Sequence, residues 1–158
     1  MRESLPKDAA SSPRDDAIRL LARREYARHE LAERLAAKGH GGAAIEACLD
    51  ALIEQGLQSD ARFAATFLRS RIQRGQGPVK IRRDMQQRGL DRETISAAFA
   101  ECQRTGEGDW CALACQALSR RFAGPGELPR ERARRERFLA GRGFDFDQVR
   151  HALEHAWQ

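Results

Sequence analysis

The chain has 158 residues, enough for one ordinary domain or a short array of smaller units, and Arg, Ala, Leu, Glu and Gln dominate it while Tyr, Val and Thr are scarce. A sheet of any size would lack strand-forming material, which argues against an α/β enzyme and for an all-α fold. The net charge is +5, carried mostly by arginine, whose planar fork of donors suits phosphate and carboxylate.

Residues 1–14 are polar, contain Pro6 and Pro13 around Ser11 and Ser12, and show no periodicity, so a flexible arm is expected. From Asp15 onward apolar residues recur at three and four, the mark of amphipathic helices. The first unit, 15–57, is read as helices over 15–24, 29–38 and 42–55, with Gly56 as the stop. The second, 58–104, is read as helices over 60–74, 78–88 and 91–103. Asp60 and Asp91 are expected N-caps there, and Pro78 suits a first turn. The third, 105–158, is read as helices over 109–122, 129–141 and 145–156, with 123–128 as a longer loop containing Gly124, Pro125 and Gly126.

Aligning the chain on Gly39, Gly89 and Gly143, each a candidate left-handed helix stop, reveals a repeat. Leu35, Met85 and Leu139 stand four residues before these glycines; Ile45, Ile95 and Val149 stand six after, and Leu49, Phe99 and Leu153 ten after. The glycine spacings of 50 and 54 residues match a unit of three short helices. Three tandem three-helix repeats follow, and short helices of this kind stack into an elongated, curved array whose concave face suits a filament or a nucleic acid. In the third unit Arg135 stands where Leu31 and Ile81 stand in the others, so its middle helix is expected to rotate and use Phe138.

Charge is concentrated in the second unit. Residues 61–92 hold nine basic and two acidic side chains, a net +7 that leaves −2 for the rest. With Phe63, Phe67, Ile81, Met85 and Leu90 assigned to the core, the candidate binding residues are Arg69, Arg71, Arg74, Lys80, Arg82, Arg83 and Arg88. The competing reading is that Arg71 or Arg82 pairs with an internal carboxylate. If about six of these cations each met a phosphate, affinity would fall about 10²–10³-fold between about 50 and 200 mM salt. Few aromatics remain to stack bases, so such contact would tolerate any sequence. The six arginines of 130–142 lie beside Glu131 and Glu136, and Glu131 can meet Arg135, which points to a salt-bridged solvent face.

Cys111 with Cys115 and His151 with His155 are each four apart and could form a zinc site, but free cysteines more often serve as small buried apolar residues, and no metal or cofactor is expected. There is no P-loop, dinucleotide fingerprint or nucleophile elbow, so a non-enzyme is expected. The absence of a secretory signal and of a membrane-length apolar run, with four cysteines on helical patterns, predicts a cytoplasmic protein.

The segments AIRLLARREYARHELAERLAAKG, DARFAATFLRSRIQRGQGPVKIRRDMQQRGL and DWCALACQALSRRF resemble the RecX family of RecA regulators over nearly the whole ordered length. The resemblance implies tandem three-helix repeats and binding of RecA filaments on single-stranded DNA. It implies inhibition of ATP hydrolysis, strand exchange and the co-protease activity behind the SOS response. A monomer without a membrane role is expected. Binding of double-stranded DNA is left open. The family's basic RxR and GxGPxKIRR portions fall on Arg69, Arg71, Lys80, Arg82 and Arg83. Gln76, where members often carry an aromatic, and Gln58–Ser59, in place of a commoner Leu–Asp or Asp–Asp, are expected to weaken local contacts only. A general nucleic-acid-binding repeat protein is the rival reading, and a helical adaptor for an unrelated protein ranks below it.

Overall fold

The protein is described here by a computed structural model covering residues 11–158, so the first ten residues of the expected arm lie outside the described residues. Among the described residues there are nine helices and no strand: α1 Pro13–Leu21, α2 Arg28–Ala37, α3 Gly42–Glu54, α4 Asp60–Gln73, α5 Pro78–Gln87, α6 Arg92–Arg104, α7 Trp110–Arg121, α8 Pro129–Arg142 and α9 Phe146–His155. Each expected helix is present, with ends within three residues of expectation. Helix α1 starts early because Ser12 Oγ accepts the Asp15 N–H at 3.1 Å and Pro13 opens its first turn.

Gly39, Gly89 and Gly143 have φ of +90°, +81° and +97°, the left-handed region in which a Cβ is penalised. Eight of the nine residues aligned on them are buried: Leu35, Leu49, Met85 and Leu139 fully, and Ile45, Ile95, Phe99 and Val149 nearly so, while Leu153 is only partly buried.

The described residues divide into two compact units, the first ending at Asp60 and the second Ala61–Gln158. In the first, Ala17, Tyr26, Leu31, Leu35, Ile45, Leu49 and Leu52 form one core. Arg28 ties α2 to α3 through Glu46 at 2.6 Å and Asp50 at 3.0 Å. The buried Asp16 accepts from Ser11 Oγ at 2.6 Å and lies 2.7 Å from His40 Nε2, pinning α1 to the turn after α2. Asp60, expected as a cap for its own helix, accepts the Arg28 N–H at 2.8 Å and so serves the first turn of α2. Gln58 supports it: its amide donates to Asp60 Oδ1 at 3.0 Å and to the Tyr26 carbonyl at 3.1 Å. Rather than weakening a contact, Gln58 is buried and satisfied.

The second unit joins the second and third repeats. The cap of α5 is Gly77, which has no side chain to satisfy the orphan donors of the first turn. The end of α8 supplies the acceptors instead: Gly77 N–H donates to the Arg142 carbonyl at 2.8 Å and Val79 N–H to the Gly143 carbonyl at 2.9 Å. A Cβ at Gly77 would fall on the Gly143 backbone, and one at Gly143 on the Lys80 Cβ, so both glycines are required by the approach of two backbones. Asp91, Asp109 and Asp145 cap α6, α7 and α9, accepting from Thr94, Ala112 and Gln148 N–H groups.

The third repeat solves the Arg135 problem differently from expectation. Arg135 keeps the internal register, half-buried, and its guanidinium donates to the Gly124 carbonyl at 2.8 and 3.1 Å and to the Glu131 carbonyl at 3.0 Å. It lies 4.4 Å over the Phe122 ring, against which Phe138 packs edge-on at 5.6 Å. A cation thus sits at a core position because a loop carbonyl and an aromatic face await it.

Candidate nucleic-acid and partner interface

Helix α4 turns Phe63, Ala64 and Leu68 inward, and α5 buries Pro78, Ile81 and Met85. These faces leave the cations of both helices outside, but the seven candidates do not share one environment. Arg71 is committed internally. Its guanidinium lies 3.2 Å from Asp84 Oδ2 and 3.2 Å from Gln76 Oε1, 4.5 Å over the Phe67 ring, with a side chain only 17% exposed. It clamps α4 to α5, with Gln76 accepting one of its hydrogen bonds.

Arg88 and Arg82 lie on aromatic rings, at 5.0 Å over Phe67 and 4.1 Å over Phe99. Such stacking orders the Arg82 guanidinium while leaving its edge able to donate. Arg82 and Asp84 stand about 200° apart around α5, so Arg82 faces away from the Arg71 clamp and toward α6. Arg69 pairs with Glu107 at 3.5 Å with both side chains well exposed, an interaction worth about 0–1 kcal/mol. Among the described residues Arg74, Lys80 and Arg83 have no ion-pair partner. Lys80 and Arg83 are three apart on α5, one helical turn along the same face.

The arginine stretch 130–142 departs from expectation. Glu131 does not pair with Arg135; its carboxylate accepts the Glu127 and Leu128 N–H groups at 2.9 and 3.2 Å, capping α8. Among the described residues no ion pair involves this stretch. Cationic charge with no internal carboxylate partner therefore extends beyond the second repeat, a property that i,i+4 spacing concealed.

Burial raises the thiol pKa of Cys111 and Cys115 on α7, and the His151 and His155 rings on α9 lie 4.5 Å apart. Among the described residues no three His, Cys, Asp or Glu side chains are grouped so as to hold a metal ion. No helix among them is long and apolar enough to cross a membrane.

Family models for the first, second and third three-helix domains of RecX match residues 14–52, 59–98 and 107–153. The chain belongs to the RecX family. It is 59% identical over 149 residues to Regulatory protein RecX of Chromohalobacter salexigens, covering 94% of this chain and 95% of that one. It is 46% identical to Regulatory protein RecX of Halorhodospira halophila, covering 94% and 90%. Among solved structures, RecX from Lactobacillus salivarius has the same fold at 18% identity, with a TM-score of 0.73 and coverage of 91% and 94%.

Proposed function

We infer that this RecX-family chain binds RecA filaments on single-stranded DNA and inhibits their ATP hydrolysis, strand exchange and co-protease activity. It thereby modulates homologous recombination, DNA repair and the SOS response in the cytoplasm. The reading rests chiefly on the match to all three RecX domains and near full-length identity to proteins named Regulatory protein RecX. In physical terms, residues 15–57, 58–104 and 105–158 act as successive binding repeats. Arg74, Lys80 and Arg83 meet phosphates or an acidic groove directly; Arg82 adds donors held on an aromatic ring, and Arg69 joins by exchanging its surface bridge. The proposed role of Arg71 is to hold α4 and α5 in place for the others. The chain acts as a monomer, by occupying a partner rather than by catalysis.

Titrating the chain into RecA on single-stranded DNA tests this. DNA-dependent ATP hydrolysis is expected to fall well below one chain per RecA, and no inhibition at any ratio would sink the reading. Cations without internal partners also support a second reading, a sequence-tolerant nucleic-acid-binding protein that needs no RecA. Equal binding to naked DNA and to filaments would favour that one.

A further inference from the structure

A pocket of about 230 Å³ in the second unit is lined by Arg74 after α4, Arg120 and Arg121 at the end of α7, and Arg142 at the end of α8, over a floor that includes Phe138 and Leu113. No carboxylate lines it. Among the described residues none of the four arginines has an ion-pair partner. The partial negative charge of the helix C-termini accounts for some of this crowding. The ends of α4 and α7 contribute about −0.5 each, about −1 together, while the end of α8 is met by the start of α5, which leaves about +3 uncompensated. Arg142 donates to the Arg74 carbonyl at 3.5 Å, so one guanidinium is already used in that way.

The guanidiniums are also partly ordered. Arg121 lies 5.0 Å over Phe122, and Arg142 5.3 Å over Phe138. Ordered forks around an apolar floor lose little freedom on meeting an oxyanion, and Arg binds phosphate oxygens bidentately. The volume is below the roughly 300–1,000 Å³ of drug-sized sites, which restricts the occupant to one or two phosphate groups. The residual charge calls for more than a single carboxylate would bring.

We propose that this pocket binds the phosphate groups of a nucleotide. They come either from a free nucleoside polyphosphate or from the backbone of a single strand. The pocket shares Arg74 with the proposed interface, so its strand arm rests on that reading; binding is measured on the chain alone, so failure of the RecA reading and failure of this one are distinguishable. Calorimetric titration of the full chain at physiological ionic strength would use three probes: inorganic pyrophosphate, ATP and an oligothymidylate. Arg120→Ala with Arg121→Ala removes two forks from exposed positions. Arg130→Ala with Arg137→Ala removes the same charge from α8 outside the pocket. Saturable pyrophosphate or ATP binding, weakened about tenfold or more by the first pair and unaffected by the second, identifies a free polyphosphate as the source. If only the oligothymidylate binds, and the first pair costs it about tenfold with a salt slope shallower by about 1.4, the strand is the source. Equal binding by wild type and the first pair, or equal loss in both pairs, overturns the proposal.

Discussion

Arg71 and Arg83 lie in the same basic segment, yet only Arg83 is left for a partner. Arg71 is held by Asp84, Gln76 and the Phe67 ring, so Arg71→Ala should lower stability by about 1–2 kcal/mol through the loss of a partly buried, charge-assisted contact. Arg83→Ala should stay within about 0.5 kcal/mol of wild type. Denaturant midpoints followed by Trp110 fluorescence separate the two, since Trp110 is buried in the same unit. Asp16 gives a pH-dependent prediction. Hydrogen bonds to His40 and Ser11, with help from Lys38, overcome burial and hold its carboxyl at about 2 against an ordinary 3.8. A folded pKa below the unfolded one means stability that is fully present above about pH 4 and fades as pH falls toward 2. The gap between wild type and Asp16→Asn should therefore be full at about pH 5 and close on that descent, read from Tyr26, which is buried in the first unit.

Between elements, the decisive contact is the end of α8 on the start of α5. The last carbonyls of one helix satisfy the first donors of the other, so two sets of orphan groups are paired at once and opposite helix-dipole ends meet. Gly143→Ala would combine a left-handed φ with a clash against Lys80, and about 2–4 kcal/mol of second-unit stability should be lost. Gly39→Ala has the same left-handed requirement but open space around the new Cβ, so about 1–2 kcal/mol is expected. Near-equal midpoint shifts for the two variants would mean that the α8–α5 contact contributes little. Arg135 belongs to the same scale. Its position in the repeat was legible, whereas the Gly124 carbonyl and Phe122 ring that accept it lie in the segment that follows another helix, α7.

For the molecule as a whole, the net +7 of residues 61–92 overstates what the second repeat presents, while the arginines of 130–142 were understated. Replacing Arg74, Lys80 and Arg83 together by Ala should leave helicity intact and reduce the salt slope on single-stranded DNA by about 2, at about 0.7 per lost contact. Circular dichroism and binding over a salt series check both halves. An unchanged slope would move the contact elsewhere on the chain. The helices, the capping aspartate Asp91 and the three aligned glycines were readable because each depends on residues within a few positions along the chain.

Sequence alone determined the all-α class, the three-fold repeat and the family, since 3.6-residue periodicity, N-caps and left-handed glycines are local, and extended motifs carry kinship. Tertiary structure decided which cations are committed and which are not. Arg71 finds Asp84 across a turn, Arg135 finds a loop carbonyl, and Arg74 meets Arg120, Arg121 and Arg142 from two other helices. An ion pair or a shared pocket is a matter of distances of a few ångströms between elements, and no spacing along one helix encodes them.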